Sequence, residues 1–262
     1  RLGALDLQVE DGHARLVAVH DLLQQVFGTL RHVLALVGED RLQWTAADDL
    51  ADGAFILRSP QRLLPPARCV GEWIEHWAGL QPEAPAFAEP TGQGWTVLNW
   101  RALRQRVGAV AQALLDIDAP SSRPVAVLSD NSLDHLVLAL ACQHIGRPVC
   151  SISSGYSRLV QGDFSRLQGI LHTLQPALIY AHDASTYEPA MHSAPSDALR
   201  VFSHGAHDVP CALGFDALLQ TTEPAAVMPA FEAVAPDTHA KYLLTSGSTG
   251  LPKVVINTQG ML

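Results

Sequence analysis

The residues best suited to chemistry lie between Lys241 and Asn257, where the apolar run Tyr242 to Leu244 enters a tract of hydroxyls and glycines and the β-branched run Val254 to Ile256 leaves it. Thr245, Ser246, Gly247, Ser248, Thr249 and Gly250, followed by Leu251, Pro252 and Lys253, predict a strand, a loop and a second strand, with the loop joining neighbouring strands at one end of a sheet. Glycines allow backbone N–H groups to approach phosphate oxygens and take the positive φ that gathers successive N–H groups into a concave nest. Ser246, Ser248 and Thr249 add hydroxyl donors and Lys253 adds a mobile cation. A polyphosphate suits that donor set, although the same composition also occurs in plain hairpin turns. It is not a Walker A loop, because Pro252 precedes the lysine and β-branched residues follow where a helix would begin. No helix N-terminus is therefore expected to assist the anion. We assign the loop no catalytic residue and no metal ligand.

The elements that position this loop are read from periodicity. Asn99 caps a helix with Trp100, Leu103, Val107, Val110, Ala111 and Leu114 on one face and Arg101, Arg104 and Arg106 on the wet side. The strand Pro124 to Leu128, a cap at Asn131, a helix through Leu133, Leu136, Val137 and Leu140 stopped by Gly146, and the strand Pro148 to Ile152 follow. A helix with Phe164, Leu167, Ile170, Leu171 and Leu174 leads to the strand Ala177 to Ala181. Alternating strands and helices predict a doubly wound α/β fold, a mainly parallel sheet with helices on both faces. Residues 182–237, rich in Pro, Ala and His, read as a surface excursion, with Leu199 to Phe202 and Phe215 to Leu219 as possible short elements.

Residues 1–50 read as a separate amino-terminal extension: a hairpin turning at Asp11-Gly12, then a helix from Asp21 to Gly38, with no visible chemistry. From 51 onward the main domain begins, through an extended linker at Arg58-Ser59-Pro60 and Pro65-Pro66 and a helix carrying Cys69, Trp73, Trp77 and Leu80. Glu72, Glu75 and His76 on that helix read as a solvated face. His204, His207 and Asp208 invite a metal reading, but zinc needs a further ligand that the sequence does not supply. No Gly-x-Ser-x-Gly elbow occurs.

Composition narrows the function classes. With 262 residues, 48% of them hydrophobic, the chain can bury a substantial core. A net charge of −9 argues against a nucleic-acid backbone as partner. Cys69, Cys142, Cys150 and Cys211 show no metal-ligand spacing, and apolar runs fall short of the roughly 20 residues that span a bilayer. These features predict a cytoplasmic protein with reduced thiols and no membrane span. Starting at Arg1 and stopping at Leu262, soon after Lys253, the chain reads as cut at both ends.

The string Thr-Ser-Gly-Ser-Thr-Gly-Leu-Pro-Lys, Thr245 to Lys253, resembles the phosphate-binding signature of the adenylate-forming (AMP-binding) superfamily, which includes acyl-CoA synthetases, luciferases and peptide-synthetase adenylation domains. Val254 stands where that family usually has Gly. Arg58-Ser59-Pro60, Asn131-Ser132 and the run Pro252 to Gln259 with Met261-Leu262 are most similar to feruloyl-CoA synthetases. The resemblance implies that residues 51–262 are the amino-terminal part of an acyl-CoA synthetase, truncated after the phosphate loop. It implies ATP, Mg²⁺ and coenzyme A as cofactor and substrates, with an aromatic or fatty carboxylic acid as the small-molecule partner. Thr245 to Gly250 and Lys253 would then hold the β- and γ-phosphates. The ribose-binding acid, acyl pocket and catalytic lysine of such enzymes would lie beyond Leu262, so the chain alone is expected to be inactive. Two other readings stay open: an adenylation domain that loads a carrier protein, and a non-catalytic nucleotide-binding module.

Overall fold

In the central strands, side chains alternate between two apolar environments, and that alternation sets the architecture. The computed structural model describes residues 46–49, 55–58, 65–158, 162–221, 226–245 and 252–262. It divides into two units, Arg1–Pro65 and Pro66–Leu262. In the first, β1 (Ala46–Asp49) and β2 (Phe55–Arg58) form an antiparallel pair in which Ala46 faces Arg58. Arg58, expected in a linker, therefore ends a strand. The hairpin and helix expected within 1–45 lie outside the described residues.

The second unit opens with α1 (Val70–Leu80), the hairpin β3 (Pro85–Thr91) and β4 (Gly94–Asn99), and α2 (Trp100–Leu115). It continues with β5 (Val125–Val127), α3 (Leu133–His144), β6 (Val149–Ser151), α4 (Ser165–Leu174), β7 (Leu178–Asp183) and α5 (Ala184–Met191). Then come β8 (Leu199–His204), β9 (Ala212–Gly214), α6 (Phe215–Leu219), α7 (Val227–Glu232), β10 (His239–Thr245) and β11 (Lys253–Thr258). Seven strands form one sheet in the order β11-β10-β6-β5-β7-β8-β9, and every neighbouring pair is parallel except β10–β11.

Val125, Val127, Val149, Leu178 and Tyr180 point into one core with Leu103, Val107, Val110 and Leu114 of α2 and Val137 and Leu138 of α3. Their neighbours Ala126, Cys150 and Ile179 point to the opposite core, with Leu167, Ile170 and Leu171 of α4 and Tyr187 and Met191 of α5. The sheet is thus covered on both faces, the doubly wound α/β arrangement that the alternating pattern predicts.

Local chemistry explains several boundaries. Asn99 caps α2 as expected, its Oδ1 accepting from the Ala102 N–H at 2.8 Å. The cap of α3 is Ser132 rather than Asn131: Ser132 Oγ accepts from the His135 N–H at 3.1 Å. Gly146, at φ +73°, closes the end of α3, and a Cβ there would stand 3.1 Å from Thr238 Cγ2. Cys69 caps α1 rather than lying inside it, and the helix buries Gly71 and Ile74 while Trp73 stays 53% exposed. Trp77 stacks on Trp100 with centroids 6.1 Å apart.

Two expectations are corrected by tertiary pairing. Residues 182–237 are not a surface excursion: β8 lies parallel to β7, and Val201 and Phe202 are fully buried. Glu75 and Arg104 do not simply face solvent either, since Arg104 Nε meets Glu75 Oε1 at 2.5 Å and buried His144 Nε2 lies 3.3 Å from the same oxygen. Glu72 pairs with Arg68 at 3.0 Å.

Candidate functional site

The proposed phosphate loop hangs from the antiparallel pair β10–β11. Tyr242, Leu244 and Val254 pack against the core containing Cys150 and Phe202, so one face of each strand is anchored. Leu243 and Val255, cross-strand partners on the other face, are exposed. Thr245 ends β10, Lys253 begins β11, and the two form the last pair of the ladder, with Thr245 Oγ1 donating to the Lys253 carbonyl at 3.4 Å. Both side chains are exposed. The strands flank the loop as the sequence predicts, while Ser246, Gly247, Ser248, Thr249 and Gly250 fall outside the described residues.

At its far end the hairpin is tied down. Gln259, 3% exposed, accepts from the Val70 N–H at 3.1 Å through Oε1 and donates to the Gln143 carbonyl at 3.0 Å through Nε2. Its own N–H donates to the Thr238 carbonyl at 2.9 Å. One buried amide thus joins the foot of the hairpin to the start of α1 and the end of α3.

Because β10 runs parallel to β6, Thr245 lies at the carboxyl edge of the sheet, the end where open α/β sheets bind ligands. The chain passes from β5 to β6 on one side and later places β7 on the other side of β5, so the order reverses there. At that reversal a cavity of about 330 Å³ is lined by Asp130, Asn131, Arg158, His182, Asp183, Thr186 and Tyr187. Arg158 pairs with Asp130 and its Nε donates to the Tyr187 hydroxyl at 2.7 Å, while Ser154 Oγ donates to Asp130 Oδ1 at 2.5 Å. Asp183 caps α5, and hydrogen bonds led by that from Ser185 hold its carboxyl below the usual carboxylate range. Sequence reasoning passed over Asp130, Ser154 and Arg158, since residues far apart in the chain meet here only through the β5–β6 crossover.

The histidines are distributed differently. His204 packs edge-on against His182 at 4.8 Å, and His207 pairs with Asp208 at 3.3 Å on the surface. Among the described residues no three His, Cys, Asp or Glu side chains gather into a metal site. The exposed Lys253 ammonium suits an anion, and magnesium arriving with a nucleotide would be held largely by phosphate oxygens and water. Among the described residues no helix is long and apolar enough to cross a membrane.

Comparison with known proteins places this geometry. A family model described as AMP-binding enzyme matches residues 74–262. The PKS-NRPS hybrid synthetase psoA of Aspergillus fumigatus is 25% identical over 239 residues, 88% of this chain and 5% of that protein. The hybrid PKS-NRPS synthetase mycA of Thermothelomyces thermophilus is 32% identical over 179 residues, 68% of this chain and 4% of that protein. The chain therefore spans about a twentieth of the length of these curated relatives. Among solved structures, acetoacetyl-CoA synthetase from Streptomyces lividans superposes with a TM-score of 0.62 at 20% identity, over 76% of this chain and 32% of that one. A fatty acyl-adenylate ligase from L. pneumophila, in complex with acyl adenylate and pyrophosphate, gives 0.53 at 15% identity over 74% and 31%. These structural likenesses bear on the fold.

Proposed function

The chain belongs to the AMP-binding enzyme family, and from that premise we propose that it is the amino-terminal part of an ATP-dependent acid–CoA ligase. The reaction joins a carboxylate to the α-phosphorus of ATP, releases pyrophosphate, and passes the acyl group to the thiol of coenzyme A. The observation that carries this reading is the hydroxyl- and glycine-rich string held between the paired ends of β10 and β11 at the carboxyl edge of the sheet. Thr245, Ser246, Gly247, Ser248, Thr249, Gly250 and Lys253 bind and orient the β- and γ-phosphates. Lys253 offsets the charge that develops as pyrophosphate leaves, charge that magnesium bound with the nucleotide would also offset. This is positioning work, with no covalent step on the loop.

The likeness of Arg58-Ser59-Pro60, Asn131-Ser132 and Pro252 to Gln259 to feruloyl-CoA synthetases supports an aromatic, feruloyl-like acid, with a fatty acid as the other candidate. The buried free thiols Cys69, Cys142 and Cys150 fit a reducing compartment, and the cytoplasm is the one this reading assigns. A second reading is supported by the relatives named PKS-NRPS synthetases: the acyl group passes to a carrier protein in place of coenzyme A.

Titration of the 262-residue chain with ATP and magnesium tests the loop assignment. Weak, salt-sensitive binding is expected, and Lys253→Ala should weaken it by about 1.5 to 3 kcal/mol, the worth of one charge-assisted contact. Equal binding by the variant would remove the loop from the site. In the protein that carries this segment, ATP–pyrophosphate exchange with hydroxycinnamic and fatty acids identifies the acid. Product analysis with coenzyme A or a phosphopantetheinylated carrier then identifies the acceptor.

A further inference from the structure

A different pair of side chains at the same edge of the sheet has the geometry of an activated nucleophile. Ser151 is the exposed last residue of β6, and its Oγ lies 3.1 Å from Nε2 of His135, in the first turn of α3. The other ring nitrogen, Nδ1, lies 3.4 Å from the backbone carbonyl of Asp130. A carbonyl can only accept, so this contact places the ring proton on Nδ1 and leaves Nε2 as the acceptor for the Ser151 hydroxyl. Nucleophile, base and orienting group thus stand in sequence, with the serine–histidine contact at the distance such pairs adopt and the orienting contact longer. Burial holds the imidazole below its ordinary pKa of 6.5, which keeps it unprotonated, and so free to accept a proton, near pH 7. His135 also borders a groove of about 550 Å³ between β3 and α3, where Phe87, Pro90, Leu133, Leu136 and Ala139 supply apolar walls. That volume lies in the range of small-ligand sites.

We propose that Ser151 is an acyl-accepting nucleophile, with His135 as its base, for activated acyl groups whose aromatic or short aliphatic body occupies this groove. Ser151 Oγ bonds to the acyl carbon as the bond from that carbon to its leaving oxygen breaks. The hydroxyl proton passes to His135 Nε2 and from there to the leaving group. The products are a seryl ester and the released phenol or, from an acyl-adenylate, AMP, and no oxidant or reductant is needed. An activated ester and an acyl-adenylate present the same electrophile, so either can serve as donor, and the inference stands independently of whether this chain forms adenylates.

The test uses the full 262-residue chain with 4-nitrophenyl cinnamate, 4-nitrophenyl acetate and synthetic cinnamoyl-adenylate, read by intact mass, peptide mapping and the nitrophenolate burst. One acyl group on the peptide containing Ser151 is expected, absent in Ser151→Ala and formed about 10² to 10⁴-fold more slowly in His135→Gln. Ser151→Cys should accept the acyl group as a thioester, which separates loss of the nucleophile from loss of the fold. Ala139→Phe should slow the cinnamoyl donors more than acetate. Labelling by both cinnamoyl donors supports a site for activated acyl groups in general, and labelling by the adenylate alone assigns adenylates as its donors. No adduct at Ser151 from any donor in folded protein, or an adduct undiminished in His135→Gln, overturns the proposal.

Discussion

The two ends of the sheet use polar residues in opposite ways. At the amino end of the strands, Arg147 is 3% exposed and donates to the carbonyls of Arg123 at 3.0 Å, Pro120 at 3.3 Å, and Leu114 and Ala119 at 3.4 Å. Arg123 likewise donates to the carbonyls of Gln175 and Pro176 and pairs with Asp197. His144 is stacked on Phe231 at 4.5 Å and meets Glu75. The two arginines fasten the loops that enter β5, β6 and β7. At the carboxyl edge, Thr245, Ser151 and Lys253 turn exposed polar groups outward. Burying a guanidinium is costly unless it is paired, and carbonyls meet both terminal nitrogens of Arg147 while its Nε goes unmet, so the amino end spends its polar groups on holding the fold. Polar groups available to a ligand remain at the other end.

Arg147→Met cuts deepest into that contrast. It removes the donors that four carbonyls share, and the loss should be about 3 kcal/mol, read as a lower urea midpoint. A loss under about 1 kcal/mol would mean that water replaces the guanidinium freely and that the amino end is not fastened this way.

Gly71→Ala probes the same end through packing. A Cβ at residue 71 would stand 2.8 Å from both His144 Nδ1 and Phe231 Cε2, so one of the stacked rings must move. Destabilisation by about 1 to 3 kcal/mol is expected from thermal melting.

The buried thiols sharpen the comparison through pH. Burial pushes both Cys142 and Cys150 from an ordinary 9.0 up to about 12. The unfolded chain therefore releases these protons near pH 9 while the folded chain retains them. Their contribution is fully present below pH 9 and is lost as pH rises towards 12. Urea titrations across that window should show falling stability, with a shallower fall in Cys150→Ala. At neutral pH, iodoacetamide should modify exposed Cys211 well before Cys142 and Cys150.

The smallest effect on stability belongs to the carboxyl edge. Lys253→Ala should change stability by no more than about 0.5 kcal/mol, because the side chain is exposed and its backbone pairing with Thr245 does not depend on it. A large loss would make Lys253 a structural residue and would blur the distinction between the two ends.

Elements whose signals are local were legible in the sequence. The α2 face and its Asn99 cap follow from spacing and one side chain, and the runs either side of the hydroxyl tract are β10 and β11. Features made by meeting in space were not. Ser132 displaced Asn131 as cap because either residue can accept from the first turn and only the backbone path decides. β8 was legible only as a possible short element at Leu199 to Phe202 within a Pro-, Ala- and His-rich segment, and pairing with β7 is what makes it a strand of the sheet. Arg104 shares a helix with the exposed Arg101, and only the approach of α1 supplies Glu75. Ser151 and His135 belong to different elements, and no periodicity brings a strand-end serine to a histidine in a helical first turn.

Gln259 gives the edge hairpin the mechanics of a clamped cantilever. Its amide fixes the foot of β11 to two helices at once, whereas the free end carries Thr245 and Lys253. Leu244 and Val254 rest on the core just short of that end, so a load there moves the exposed tip and leaves the root in place. Gln259 thus sets where the hairpin is rooted, at a point remote from the pair that ends it.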